Sequence, residues 1–495
     1  MPTLGGLVAQ QAARVPQREA LVAGERRWTW RRLDAEVSRA AGTLAAAGVR
    51  PGDRVAIVAS NTPENVVAYF ATLRLAAIVV PVNTRLAPPE LRHVVEDSGS
   101  RVVLVGAPEE ATVGSALADV PGVEVRALTS LADDSVAPVV EDRATEASDA
   151  LIVYTSGTTG RPKGVLHSHH SAIWAALAQV TSLGMTDGER YLHLPPLYHS
   201  GGVVYLDAMA LLGGTNVLVP VFEPAAVLEV IETEHITALL GVPTMFQLLL
   251  REPSARTRDT SSWRIGVFGA APMPEKAIGQ LLETFPTVSF TQQCGQTEAG
   301  PTGLFSTMDQ VRSCPDSSGH QAQPFVEAMV VRPDGEPVGP DEVGELCFRS
   351  EAVMKGYWND PDATAEAVRD GWLHTGDLLH VRPDGSMKLV DRMKDVIITG
   401  GRNVYSAEVE QAVVRHPAVA DCAVVGEADE VWGETVVVVV TLEPGRALTI
   451  EELRAHCLGL VADYKVPRVL RYGPVPRNPA GKVQKHLLRS SPPDA

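Results

Sequence analysis

Short aliphatic runs alternate with longer amphipathic stretches along this chain. Residues 54–60 (RVAIVAS) are apolar on both alternating sets of positions, the pattern of a strand buried on both faces. Residues 63–76 (PENVVAYFATLRLA) predict a helix, with Thr62 placed to cap it and Pro63 in its first turn. Residues 77–82 (AIVVPV) and 101–105 (RVVLV) predict two further strands. Strand–helix alternation of this kind predicts an α/β domain built on a largely parallel sheet. Residues 150–154 and 165–167 read as strands on either side of a polar connection, with a helix from Ser171 onward.

The texture changes near residues 330–350 (VVRPDGEPVGPDEVGELCFRS), where PDG and GPD turn signals separate short β runs and predict antiparallel strands. A second PDG lies at residues 383–385. From Arg392 a smaller unit is predicted. Its elements are a strand (395–399), a loop (400–403), a helix (406–416), two strands (420–428 and 435–442) and a final helix (449–461). The valine run 436–440 is expected to be a buried strand, and the tail 490–495 to fray.

Composition narrows the class. The 495 residues, 45% hydrophobic and 21% charged, suit a globular protein of several subdomains. A net charge of −17 disfavours general binding to nucleic acid or an anionic membrane, while leaving room for a local basic cleft. The five cysteines are scattered, without metal-ligand spacing, and are expected to be reduced thiols in a cytoplasmic protein. Neither a secretory signal nor a membrane span is expected.

The polar connection, residues 154–164 (YTSGTTGRPKG), has the chemistry of an anion-binding loop: glycines, hydroxyls, Arg161 and Lys163. It is not G-x-x-x-x-G-K-[ST], because Lys163 is followed by Gly164, and Pro162 blocks direct entry into a helix. Other polar clusters follow at 293–301 (QCGQTEAGP), 371–377 (GWLHTGD), 391–410 (DRMKDVIITGGRNVYSAEVE) and 478–485 (NPAGKVQK). Together, in this order, these motifs resemble the adenylate-forming superfamily, on its branch of acyl-CoA synthetases.

The resemblance implies a fold and a set of roles. A large domain, residues 1–391, would hold mixed, largely parallel sheets flanked by helices plus a β-rich subdomain. A small mobile α+β lid, residues 392–495, would carry a catalytic lysine. Thr155, Ser156, Gly157, Thr158, Thr159, Gly160 and Lys163 match the loop that holds the β- and γ-phosphates of ATP. Thr297 matches the hydroxyl at the α-phosphate, and Glu298 the carboxylate that binds Mg²⁺. Gly269, Ala270, Ala271 and Pro272 match the adenine-side wall, together with Cys294, Gly295 and Gln296. Asp377 and Arg392 match ribose contacts, Lys394 the hinge, Gly400 and Gly401 a loop at the CoA tunnel, and Lys482 the catalytic lysine. His199 matches a histidine between acyl pocket and CoA tunnel, and Gly201, Gly202, Val203, Gly300 and Pro301 a small, apolar pocket lining. On this reading Gly202 is a pocket wall, and enlarging it would exclude bulky acids selectively.

Two positions depart from the pattern. Cys294 stands where most relatives have an aromatic residue that stacks on adenine, and Ser406 where many have proline. The second is expected to matter only to the local backbone. Relatives that activate α-amino acids have an aspartate just after the His199 region. None lies between Ser200 and Leu206, and Asp207 comes too late to match, so a free α-amino acid is not expected. The implied activity is ATP- and Mg²⁺-dependent conversion of an aryl or medium-chain aliphatic acid to acyl-AMP, then transfer to the thiol of CoA. The alternatives are a carrier-protein or amine acceptor, or an unusual oxyanion such as nitrite as the activated substrate.

Overall fold

The computed structural model describes residues 2–155, 162–269, 271, 273–477 and 483–489. They fall into two compact units. The first holds Pro162–Ala328 and Cys347–His374 with the described part of Met1–Thr155; the second holds Met329–Leu346 and the described part of Thr375–Ala495.

The first unit contains a seven-stranded and a nine-stranded sheet. In the seven-stranded sheet, Ile78–Val82, Arg54–Val58, Val102–Val105 and Glu124–Ala127 run parallel side by side. The period-2 alternation of strand side chains sends Val55 and Ile57 into one core, and Ala56 and Val58 into the core on the opposite face. Both faces are covered, so the strand reads as an unbroken apolar run. The helix Pro63–Arg74 covers one face, and the Thr62 hydroxyl accepts from the Asn65 N–H at 3.3 Å at its start. The nine-stranded sheet is parallel through Arg190–His193, Ala238–Gly241, Ile265–Gly269 and Ser289–Gly295, then turns antiparallel at Gly303–Ser306. This is the mixed α/β architecture the pattern predicts.

The second unit is α+β. Gly433–Leu442 pairs antiparallel with Val419–Asp429 and parallel with Val469–Tyr472. Val436, Val438 and Val440 enter a core with the helices Ser406–Val413 and Ile450–Leu458. The stretch expected to be a loop at 400–403 is instead half strand. Ile397–Thr399 and Arg402–Val404 form a hairpin with Thr399 opposite Arg402. Its turn is Gly400–Gly401, with φ +57° and +73°, the left-handed pair that a two-residue turn needs. Among the described residues, no helix is long and apolar enough to cross a membrane.

Candidate active site

The polar connection is the link of a hairpin. Asp149–Thr155 pairs antiparallel with Lys163–Ser168, and Thr155 lies opposite Lys163. Residues 156–161, with the predicted Ser156, Gly157, Thr158, Thr159 and Gly160, lie outside the described residues, as do Ala270, Pro272 and Lys482.

Three distant segments of the first unit meet beside Lys163. Its ammonium is 3.3 Å from Asp360 Oδ2 and 5.2 Å from the centre of the Tyr357 ring. The Tyr357 hydroxyl donates to Glu298 Oε1 at 3.0 Å. Burial, then the Glu298 charge, pushes the Tyr357 phenol above its ordinary pKa, so it remains a donor. Gly356–Tyr357 is held there as a short edge strand on Lys163–Ser168, with Tyr357 opposite Val165. Thr297 and Glu298 begin a short 3₁₀ turn that Gly300 ends, at φ +68°.

Thr297 is tied on two sides. Its hydroxyl is 3.0 Å from Ser200 Oγ, at the start of the helix Ser200–Leu212. Its carbonyl accepts from His167 Nε2 at 2.9 Å. A carbonyl only accepts, so the imidazole proton is assigned to Nε2. Nδ1 stands 3.2 Å from Ser171 Oγ. Burial lowers the His167 pKa to about 4, which keeps the ring neutral at pH 7. The helix His169–Leu183 starts two residues before the expected Ser171, because Ser168 caps it by accepting from the Ser171 N–H.

An apolar cavity opens beside Thr297, with Val153, Ala172, Ala175, Ser200, Val203 and Gly300 among its walls. Val203, Gly300 and Pro301 are among the residues that line it; Gly201 and Gly202 are not. A Cβ on Gly201 would meet open space, but one on Gly202 would lie 2.4 Å from the Pro196 carbonyl oxygen. That is a close backbone approach rather than a pocket wall, and it changes the expected outcome. Gly202→Leu should depress turnover of small and large acids alike and lower the melting temperature. A kcat/KM series over acid size checks this, because loss confined to bulky acids would restore the wall. His199 is the residue before the helix, its ring edge-on to Tyr198 at 4.7 Å.

Gly269 ends its strand next to Gln293, and Ala271 is exposed two residues on. Cys294 and Gly295 close the neighbouring strand, opposite Leu304 and Gly303, and Gln296 precedes the turn. In the second unit, Asp377 and Arg392 are cross-strand partners, with Arg392 Nε 3.1 Å from Asp377 Oδ1. Lys394 lies in a short 3₁₀ turn, where its carbonyl accepts from Arg489 at 3.0 Å. Gly400 donates its N–H to the Trp432 carbonyl at 2.8 Å.

Ser406 does more than shape the backbone. Its N–H and its hydroxyl, the latter at 2.7 Å, both donate to the Asp391 carboxylate, and Lys485 Nζ donates to the hydroxyl at 2.5 Å. A proline would lack both donors. Sequence reasoning also passed over Tyr357, Asp360, Ser200 and His167. The order of motifs carries no sign of them, since each acts through a partner remote in the chain.

The chain is similar to known proteins over nearly its whole length. Residues 8–358 match the family described as AMP-binding enzyme, and residues 408–482 match the AMP-binding enzyme C-terminal domain. The chain is 39% identical to a feruloyl-CoA synthase of Amycolatopsis sp over 494 residues, covering 98% of each chain. It is 33% identical to the long-chain-fatty-acid–CoA ligase FadD13 of Mycobacterium tuberculosis, covering 99% of this chain and 98% of that one. Its fold matches o-succinylbenzoate CoA synthetase from Bacillus subtilis in complex with an acyl-adenylate intermediate, with a TM-score of 0.89, 30% identity and 98% of each chain covered.

Proposed function

The chain belongs to the AMP-binding enzyme family and is an adenylate-forming acid–thiol ligase, and we propose that it converts an aryl or medium-chain aliphatic acid to its CoA thioester in two steps through one site. In the first step a carboxylate oxygen attacks the α-phosphorus of ATP, and pyrophosphate leaves. In the second the CoA thiol, giving up its proton, attacks the acyl carbonyl, and AMP leaves.

The observation that carries this reading is the convergence of Lys163, Thr297 and Glu298 beside an apolar cavity. Negative charge shifts toward the departing pyrophosphate in the first step, and fixed donors and cations are the main resource for stabilising it. Lys163 supplies a cation at the end of the loop, and residues 156–160 are assigned to the phosphates. Thr297, held by Ser200 and His167, presents a hydroxyl to the α-phosphate from a fixed position. Glu298 fits Mg²⁺: Tyr357 engages Oε1, and a single carboxylate completed by phosphate oxygens and water is a set this ion accepts. Bound there, the ion would neutralise phosphate charge. The cavity takes the organic part of the acid, since its walls are small and mostly apolar.

Gly269 to Pro272 and Cys294 to Gln296 are assigned to the adenine side, and Asp377 and Arg392 to the ribose. Residues 392–495 are assigned to a lid hinged at Lys394. One orientation delivers Lys482 for adenylation, and the other presents Gly400 and Gly401 to CoA. Such a rotation orders the two steps.

Pyrophosphate exchange and CoA consumption, read side by side over a panel of acids, test the proposal. Exchange with acid-dependent CoA loss is expected. Exchange without CoA loss would move the acceptor to a carrier-protein thiol or an amine, and no exchange with any acid would remove the adenylation step.

A further inference from the structure

The hairpin that carries Lys163 is fastened to a helix with no part in the chemistry described above. In the helix Pro88–Ser98, His93 and Asp97 lie one turn apart on the same side. His93 Nε2 is 3.3 Å from the carbonyl of Pro162, the residue before Lys163 on the returning leg. A carbonyl only accepts, so the ring proton is assigned to Nε2. On the outgoing leg, the Tyr154 hydroxyl donates to Asp97 Oδ2 at 2.5 Å. Burial, then the hydrogen bond to Asp97, pushes the Tyr154 phenol above its ordinary pKa, so it remains a donor. Tyr154 pairs with Gly164, where a Cβ would lie 3.1 Å from Tyr154 Cζ and 3.2 Å from Trp358 Cβ.

The same helix end holds the segment that faces Lys163. The Asp97 carbonyl accepts from Trp358 Nε1 and from Asn359 Nδ2, each at 3.2 Å. Four consecutive residues thus share the work: Tyr357 bonds Glu298, Trp358 and Asn359 bond Asp97, and Asp360 pairs with Lys163. Arg54 fixes the helix end in turn, donating to the Ser98 carbonyl at 2.7 Å and the Gly99 carbonyl at 3.1 Å. An acidic residue in the last turn of a helix meets the negative end of the macrodipole, and this turn holds no basic residue to offset it. A side chain placed against the local rule points to a task outside its own helix.

We propose that Asp97 and Tyr154 are positioning residues for adenylation: together they fix Lys163 against the segment 357–360, and so against Glu298. This rests on the ligase reading above. On that reading the hairpin serves the β- and γ-phosphates, which leave as pyrophosphate. Acyl-AMP carries neither, so the second step does not require the hairpin in register. In the first step, a misplacement of about 1 Å is enough to cost about 10²-fold.

The two half-reactions, measured separately, test this. Asp97→Leu and Tyr154→Phe should each lower kcat/KM for MgATP in pyrophosphate exchange by about 10–100-fold. Thioester formation from supplied acyl-AMP and CoA should stay within a few-fold of the wild type. Asp97→Asn, whose amide oxygen still accepts from the Tyr154 hydroxyl, should restore most of the exchange. The double variant should lose little more than either single one, because both remove the same bond. A merely structural role would lower both half-reactions together. Such parallel loss, exchange within a few-fold of the wild type in either single variant, or losses that multiply in the double variant would overturn the inference while the ligase reading stands. If Asp97→Leu does not fold, Tyr154→Phe, which removes one hydroxyl, decides. Absence of exchange in the wild type with every acid would overturn the ligase reading itself.

Discussion

Glu298→Gln should slow acyl-adenylate formation by about 10²–10³-fold, the usual cost of removing one preorganised charge contact from a transition state. The substitution is close to isosteric. The amide oxygen can still accept from the Tyr357 hydroxyl, which the carboxylate now does at 3.0 Å, so the short turn and the edge strand at Gly356–Tyr357 should stay in place. What disappears is the negative charge offered to Mg²⁺. Pyrophosphate exchange should therefore fall steeply and require more Mg²⁺ for half-saturation, with the melting temperature nearly unchanged. Tyr357→Phe separates positioning from charge: it keeps the carboxylate but removes its tether, and its loss should be smaller. If Glu298→Gln exchanged pyrophosphate within a few-fold of the wild type, Glu298 would have no place at the metal.

Lys482→Ala should produce a loss of similar size, about 10²–10³-fold, but only in the first step. Lys482 belongs to the NPAGK run and lies outside the described residues, so its assignment rests on the order and type of the motifs. An ammonium that reaches the carboxylate and the α-phosphate helps while charge builds there. It has no such task once acyl-AMP has formed and the thiol attacks carbon. Supplying synthetic acyl-AMP and CoA should thus give near-normal thioester formation in the variant, while pyrophosphate exchange collapses. Equal loss in both assays would contradict a lid that delivers the lysine for one step and withdraws it for the next.

The two substitutions probe different kinds of knowledge. Glu298 and Lys482 are both assigned from the sequence, by motif order and residue type. The tether that makes Glu298→Gln a clean experiment is not, because Tyr357 lies far along the chain and reaches Glu298 only through the pairing of Gly356–Tyr357 with Lys163–Ser168. Gly202 shows the same limit from the other side. Its small size was legible, but size alone cannot say whether a cavity or the Pro196 carbonyl faces the missing side chain.

What local physics controls is legible in short stretches of the chain. The alternating burial of Val55, Ala56, Ile57 and Val58 and the Thr62 cap each follow from a few neighbouring residues, whereas the helix expected over 406–416 ends at Val413 and the loop expected at 400–403 is half strand. The sequence also carries the motifs from which the chemistry is assigned, from the glycine- and hydroxyl-rich run at 154–164 to Lys482. Which polar groups meet is set by the packing of separate elements. His167 beneath Thr297, Ser406 on Asp391, and Asp207 against Tyr69 at the cavity wall are unions of segments brought together by packing. Backbone periodicity fixes which way a side chain points from its own element. What it then touches depends on how separate elements bury their apolar faces against one another, and no single stretch of the chain encodes that.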